Sequence, residues 1–299
     1  MTSRTLANQP DSSFKTSARL VGNFENGSQE WHDLRATGIG GSEVGTICGF
    51  NKWESPFTLW AKKTGRIDSQ VQPNEAMEWG NRLEPVVLDK FEDTHPEFTL
   101  HRNVGTWSHP DRPWQLANPD ALFEHEGEFG IVEVKTAQYE DDWSDGVPAH
   151  YMTQVQWYLQ TFGYSKAWVV ALFHGNRYRE FPVEASRFAQ DAALADVELF
   201  RTYLESDTQP DYDGALSTYT TIRAIHPDIS DDEVELGDLG VYYQLAEIKY
   251  KQAEQEMNEM KSRVLDAMGS AKRGLIEGRW SLTRQARGTG TPYLVAKRG

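Results

Sequence analysis

Asp120, Glu133 and Lys135 are the residues of this chain whose types and spacing could do chemistry. Asn118-Pro119-Asp120 reads as an acidic residue at the mouth of one strand, and Gly130-Ile131-Val132-Glu133-Val134-Lys135 reads as a second strand after a turn. Strand side chains alternate between faces, so Glu133 and Lys135 share a face while Val132 and Val134 point the other way into a core. With Asp120 at the mouth of the neighbouring strand, two carboxylates and an ammonium converge on one point. Two carboxylates make a hard, oxygen-lined site suited to Mg²⁺ or Mn²⁺. A lysine beside such an ion can orient a water or stabilise the charge growing on a phosphate. The chemistry implied is metal-assisted cutting of a phosphodiester. Taken alone, Glu-x-Lys on a strand is also the pattern of a solvated face with a weak ion pair, so the surrounding groups matter.

Glu84, in Trp79-Gly80-Asn81-Arg82-Leu83-Glu84-Pro85, is a third candidate carboxylate. It lies beside a glycine that permits close approach of a backbone, and could reach the metal directly or through water; a helix glutamate can equally face solvent. Gln154 and Tyr158 are four apart and so share a helix face. An amide and a phenol there can hold an attacking water or a phosphate oxygen without adding charge. Arg35, Thr37 and Ser42 flank Gly38-Ile39-Gly40-Gly41. Backbone N–H groups at a helix N-terminus favour anions and an arginine adds a bidentate grip, which makes this loop a candidate phosphate seat. No Gly-Lys-Ser/Thr follows, so it is not a Walker loop. His101, His109, His125 and His174 show no zinc-like spacing. No Gly-x-Ser-x-Gly elbow is present and Cys48 lacks an obvious base, which argues against serine or cysteine hydrolases.

The elements that must position these groups follow from periodicity. Ser42 is expected to cap a short helix to about Cys48. Ser55-Pro56 opens another that stops near Gly65. A longer helix is expected over 75–92 with Leu83, Val87 and Phe91 as its buried stripe, and Pro85 kinks it or breaks it after Glu84. The period then changes to two, and strands are expected over 98–104, 114–117, 121–123 and 130–135. Pro148 opens a helix through about Phe162 with Tyr151, Val155, Leu159 and Phe162 as its ridge. Strands over 166–173 and 178–183 join around His174-Gly175-Asn176, and a further helix spans 185–204. This order predicts an α/β (α+β) core with a central mixed sheet flanked by helices.

Composition sets the outer limits. Of 299 residues, 38% are hydrophobic and 12% aromatic, enough for a substantial core. The one cysteine rules out an internal disulfide or a cysteine-held cluster and fits a cytoplasmic setting. No apolar run approaches a membrane span. Net charge is −15, yet residues 272–299 carry seven basic residues against Glu277 alone, a local +6 that leaves −21 for the rest. Global acidity counts against loose coating of nucleic acid, not against a confined, metal-bearing site. The expected organisation is a flexible arm over 1–24, a core domain over 25–210, an acidic linker over 211–238, and a C-terminal arm over 239–299. In that arm a long helix (239–268) with an apolar side at Leu245, Ile248, Met257, Met260, Val264 and Met268 packs on its own core or in a self-association seam, and a basic β-hairpin tail follows.

Taken in order, these pieces resemble the YqaJ-type viral recombinase family, the phage exonucleases related to lambda exonuclease, within the PD-(D/E)xK fold. The resemblance rests on Arg35 with Gly38-Ile39-Gly40-Gly41-Ser42-Glu43, Trp53-Glu54-Ser55-Pro56 with Leu59-Trp60 and Thr64-Gly65, and Gly80 with Leu83-Glu84-Pro85. It continues through Asn118-Pro119-Asp120, Glu133-Val134-Lys135, and Pro148 with Tyr151 and Gln154-Val155-Gln156-Trp157-Tyr158-Leu159. It implies that Asp120, Glu133 and the backbone carbonyl of Val134 are metal ligands, that Lys135 is the catalytic lysine, and that Glu84 completes the acidic cluster. Gln154 and Tyr158 match the Gln-x-x-x-Tyr motif of RecB-type nucleases, and Arg35 and Ser42 would sit near a 5′-phosphate seat. Some RecB-type relatives carry an iron–sulfur cluster on four cysteines; with one cysteine this chain has no iron–sulfur cluster. The family expectation is a Mg²⁺-dependent exonuclease on double-stranded DNA ends. It would work with a single-strand annealing recombination protein in the cytoplasm (the host's, if phage-encoded), and a ring-shaped trimer is the family's oligomer. Two other readings stay open: a nuclease-fold protein that binds DNA ends or a recombination partner without cutting, and a structure-specific endonuclease.

Overall fold

Strand β1 (Arg19–Gly22) and helix α1 (Gln29–Thr37) lead into β2 (Ile39–Gly40), α2 (Gly41–Ile47), α3 (Pro56–Lys63) and α4 (Glu75–Thr94). Strands β3 (Thr99–Arg102), β4 (Thr106–Ser108), β5 (Gln115–Ala117), β6 (Ala121–His125) and β7 (Glu128–Ala137) follow. After them come α5 (Ala149–Phe162), β8 (Lys166–Phe173), β9 (Arg177–Glu184), α6 (Arg187–Glu205) and α7 (Leu216–Ile225). The structure is a computed structural model and describes residues 12–24, 28–69, 74–276 and 280–298. Residues 1–228 form one compact unit and 229–299 a second.

The expected mixed sheet is the five-stranded β3-β6-β7-β8-β9, in which β7 and β8 are parallel and the other pairs antiparallel. Helix α5 makes the crossover between the parallel pair, as a parallel connection requires. In the smaller sheet, β1-β4-β5-β2, only β5 was expected, as the strand over 114–117. The other three strands are two to four residues long, too short for alternation to register. The β6–β7 register is set by a two-residue turn, Glu126-Gly127, with φ of 51° and 78°. Positive φ at both central residues is the hairpin turn whose twist matches the strands. It pairs His125 with Glu128 and Ala121 with Val132.

The two faces of this sheet bury two cores. On one side Leu122, Ile131, Val169 and Ala171 pack with Val155, Leu159 and Phe162 of α5 and with Val44, Phe57 and Trp60. On the other, Val132, Val134 and Val170 pack with Val87, Leu88 and Phe91 of α4. Helix α4 runs on through Pro85 rather than breaking at Glu84; a proline forfeits one helical hydrogen bond, and the burial of the residues that follow outweighs that loss. Ser55 caps α3 by accepting from Thr58 N. Ser42, by contrast, lies inside α2, whose cap is Gly40, with Glu43 reaching back to accept the Gly40 N–H at 2.8 Å.

The N-terminal arm expected over 1–24 is tied down wherever it is described. Strand β1 pairs with β4, Ala18 is fully buried, and Phe14 meets Trp107 edge-on at 5.8 Å; residues 1–11 lie outside the described residues. The expected linker also begins later than residue 211. Helix α7 docks on α3 through a buried hydroxyl network in which Thr218 donates to Ser55 at 2.7 Å and Thr58 and Thr221 pair at 2.9 Å.

In the second unit, helix α8 (Asp238–Met268) has the expected span and no buried residue. The basic tail is a three-stranded antiparallel sheet, β10 (Arg273–Ile276), β11 (Trp280–Gln285) and β12 (Tyr293–Arg298), rather than a single hairpin.

Helices α2 and α5 approach so closely that a Cβ on Gly41 would stand 2.4 Å from Cε1 of Tyr158. Gly41→Ala is therefore expected to lower stability by about 1–3 kcal/mol through overpacking, read from the denaturant midpoint; a midpoint equal to wild type would show that the contact relaxes freely.

Candidate active site

Strand β7 carries the site because it is central in the sheet and runs past the start of β6. Extending the β6–β7 register by one residue sets Asp120 across from Glu133, and directly opposed residues share a face. The outcome is the convergence expected from the spacing. Asp120 Oδ2 accepts the Val134 N–H at 2.7 Å. Glu133 is 2% exposed, and its Oε1 accepts from Lys135 Nζ at 2.7 Å and from Gln154 Nε2 at 2.6 Å. Lys135 also donates to Gln154 Oε1 at 3.1 Å and lies 4.9 Å from the centre of the Tyr151 ring.

Gln154 and Tyr158 do meet this centre, one turn apart on α5. Their polar atoms are already committed, however. The Gln154 amide bridges Glu133 and Lys135 and donates to the Tyr158 hydroxyl at 3.1 Å, which donates in turn to the Asn118 carbonyl at 3.2 Å. A chain of this kind fixes the strand carboxylate relative to the helix.

The charges respond to their surroundings. Burial, and then the neighbouring Glu133, push the Asp120 carboxyl well above the usual carboxylate range, and Lys135 offsets only part of that. Burial and Glu133 likewise raise Glu84. Burial works to lower Lys135, but Glu133 and Asp120 outweigh it and hold the ammonium above its ordinary value. Tyr158 is raised by burial and by Glu133, so its phenol stays neutral. Glu84 lies partly buried on the α4 side that carries Leu88 and Phe91, close enough to share the field of Glu133 and Asp120. Gly80 beside it admits no backbone: its nearest neighbour across the gap is Thr136 Oγ1, 3.4 Å from where a Cβ would be.

The glycine loop brings Arg35 and Ser42 together, with the guanidinium donating to Ser42 Oγ at 3.2 Å. Thr37 does not join them; its hydroxyl donates to the Leu34 carbonyl at 2.8 Å. Two residues outside the expected set organise this corner. Glu43 pairs with Arg35 at 3.2 Å and with Lys63 at 3.0 Å, and Lys63 also donates to the carbonyls of Arg35 and Gly38, each at 2.9 Å. Burial works to raise the Glu43 carboxyl, but Lys63, Arg35 and the Gly40 N–H together hold it below its ordinary value. Glu43 sits within the glycine motif and was open to this reading; Lys63 is remote in sequence and was not.

Among the described residues no three His, Cys, Asp or Glu side chains draw together into a metal cage. The donor set still fits a hard divalent cation. Glu133 Oε2 is buried with no hydrogen-bond partner, and Asp120 is held in a position that disfavours its ionised form. An oxygen-seeking cation would satisfy the first and offset the second.

The raised Asp120 has a consequence for stability. Its contribution is complete below the ordinary aspartate value, about 4, and is lost as pH rises through the raised one. Relative to wild type, Asp120→Asn is expected to gain melting temperature steadily from about pH 4 to neutrality in the absence of divalent ions. A difference that stays flat with pH would contradict this.

Residues 30–165 match the YqaJ-like viral recombinase domain, a span that holds every residue of the site. The uncharacterized protein YqaJ of Bacillus subtilis is 33% identical over 202 residues, covering 66% of this chain and 62% of that protein. The chain thus spans less than two thirds of that relative's length. Protein D345L of African swine fever virus is 24% identical over 153 residues, 43% of this chain and 44% of that one. Among solved structures, the alkaline exonuclease LHK-Exo of Laribacter hongkongensis aligns with a TM-score of 0.52 at 20% identity, over 67% of this chain and 100% of that chain. At that identity the likeness is one of fold, a PD-(D/E)xK-type core with a mixed sheet. Through residues 30–165 the chain is similar to the YqaJ-like viral recombinase domain.

Proposed function

We propose that this protein is a Mg²⁺- or Mn²⁺-dependent exonuclease that hydrolyses linear double-stranded DNA from its ends, leaving single-stranded tails for phage-type recombination in the cytoplasm. The observation that carries this reading is the convergence of Asp120, Glu133 and Lys135, with one oxygen of Glu133 buried and unpaired. That the fold neighbour from Laribacter hongkongensis is an alkaline exonuclease supports it.

Asp120, Glu133 and the backbone carbonyl of Val134 would hold the ion, and Glu84 would complete the acidic group. A bound divalent cation supplies Lewis-acid stabilisation of phosphoryl charge and a more acidic water. Lys135 serves as a fixed cation and hydrogen-bond donor: with its ammonium stabilised by two carboxylates it does not take up a proton near neutral pH. Its place is to orient the attacking water and to meet charge on the phosphate. Gln154 and Tyr158 act as positioning residues, because their polar atoms brace Glu133 and Lys135. Arg35 and Ser42 form the seat for a terminal phosphate. Arg35 and Lys63 together outweigh Glu43 by one positive charge, so the seat keeps its attraction for an anion while Glu43 holds the guanidinium in place.

The test is digestion of a 5′-phosphorylated, end-labelled linear duplex in Mg²⁺ and in EDTA. Glu133→Ala is expected to fold and to lose at least about 100-fold in rate, the scale of removing one group that stabilises developing charge. EDTA should abolish cutting, and closed circular DNA should survive. Wild-type rates from Glu133→Ala would refute the assignment. Metal-independent retention without degradation would point to an end-binding protein, and cut circles to an endonuclease.

The basic tail belongs to the same proposal, as a contact for DNA or for a single-strand annealing protein. Removing residues 272–299 is expected to weaken DNA binding and to flatten its salt dependence, measured by titration at several ionic strengths. Unchanged affinity, salt slope and partner capture would remove the tail from the interface.

A further inference from the structure

Beyond the C-terminal end of β7 lies a cavity of about 390 Å³ that the chemistry above does not use. Its walls include Trp53, Tyr139, His150 and Tyr151, with Lys52 and Asp142 at one side. Two of its aromatic groups are exposed rather than buried as core, Trp53 at 63% and Tyr139 at 60%, with Lys52 Nζ over the Trp53 ring at 4.8 Å from its centre. Trp53 meets the His150 ring edge-on at 5.6 Å, and His150 lies 3.9 Å from the Tyr151 ring. His150 Nε2 is buried with no hydrogen-bond partner. Burial, then Lys135 and Lys52, lower the imidazole, so it is neutral and can donate or accept.

The cavity's place relative to the proposed site is definite. Helix α2 lies along α5, with Gly41 against Tyr158 and Gly45 against the His150 backbone, each too close for a Cβ. Gln154, which holds Glu133 and Lys135, lies between. The corner of Arg35 and Ser42 is therefore at one end of this row, the carboxylates and Lys135 in the middle, and the aromatic cavity at the other. From Tyr158 to His150 the helix advances about 12 Å. Tyr151 is shared by both places, lining the cavity while its ring faces Lys135 Nζ at 4.9 Å.

We infer that this cavity is a nucleobase subsite, in which Trp53, Tyr139 and His150 receive the unpaired base of the nucleotide lying beyond Lys135 from the Arg35 seat. The inference rests on the nuclease reading for the identity of its ligand. Flat aromatic faces accept any base by stacking, and an unpaired imidazole nitrogen offers one hydrogen bond to a base edge. A DNA end entering the row must therefore be unpaired at that nucleotide, at the cost of its stacking in the duplex. The Lys52–Asp142 ion pair, at 3.0 Å, closes one wall without adding net charge, which suits a neutral base better than a second phosphate.

The test uses short 5′-phosphorylated single strands in EDTA, so that binding is read without cutting. One set carries an abasic site at each of the first three nucleotides in turn, and a parallel set carries fluorescent 2-aminopurine at the same positions. For the wild-type protein one position is expected to stand out: the abasic strand binds about five- to tenfold more weakly there and 2-aminopurine emission falls. Trp53→Ala should lose both effects while keeping the wild-type melting temperature, and Trp53→Phe should restore the affinity difference. Equal binding of intact and abasic strands by wild type, or an undiminished preference in Trp53→Ala, would overturn the subsite. Digestion of duplex in Mg²⁺ keeps the two readings apart. Cutting of duplex by a protein that binds intact and abasic strands equally removes the subsite alone; weaker binding of the abasic strand without cutting supports the subsite and sinks the nuclease reading.

Discussion

Two carboxylates facing each other across a hairpin are the constraint around which the site is built. Asp120, at the entrance to β6, stands opposite Glu133 on β7, largely out of water, where like charges raise each other's energy. One ammonium, Lys135, cannot offset two carboxylates, and Glu133 Oε2 is left without a donor. Proteins seldom keep such an arrangement for stability, because an unpaired buried polar atom costs free energy. It becomes reasonable when a cation from solution completes it. The strain on Asp120 and the fitness of the place for a divalent ion are thus two sides of one electrostatic fact.

The rest of the first unit holds that arrangement in register. Glu133 is fixed by Gln154 from α5, Gln154 by Tyr158, and Tyr158 by the carbonyl of Asn118, two residues before Asp120. The hydrogen-bonded chain starts on β7 and ends on the segment that leads into β6, so β6, β7 and α5 are tied to one another. Helix α2 is locked onto the same row by contacts that leave no room for a side chain at Gly41. Its other face carries Glu43 in the grip of Arg35 and Lys63. Ion pairing at Glu43, close glycine contacts and the buried Val44 and Ile47 together hold this short helix.

This also resolves the apparent conflict between an acidic chain and a phosphate-bearing ligand. The net charge of −15 is a sum over the whole chain, +6 over 272–299 against −21 elsewhere, and is screened beyond about 8–10 Å at ordinary ionic strength. Within the row the local balance differs. Arg35 and Lys63 outweigh Glu43 at one end, and a divalent ion would reverse the sign at the centre. Overall acidity then discourages loose association with nucleic acid and leaves the confined positions as the attractive ones.

Much of this was legible in the sequence, and the limits are physical. Alternation over 130–135 placed Glu133 and Lys135 on one face, and the period of α5 placed Gln154 beside Tyr158, because both are properties of a single element's geometry. The α/β core with its mixed sheet followed from the order of strands and helices, and its PD-(D/E)xK type from the resemblance of the motifs. What an element does with its polar atoms was out of reach. Gln154 and Tyr158 looked free to hold water or phosphate, and the fold spends them on bracing; Thr37 looked like part of an anion seat, and its hydroxyl turns to its own helix. The continuation of α4 through Pro85 was likewise decided by burial further along. By itself the sequence determined which residue types share a face and which chemistry they can support, since that depends only on local backbone periodicity. Only the tertiary structure decided that Asp120 stands opposite Glu133, that Lys63 reaches Glu43, and that Trp53 meets His150. Those contacts depend on turn geometry and on the packing of segments far apart in the chain, which no local pattern encodes.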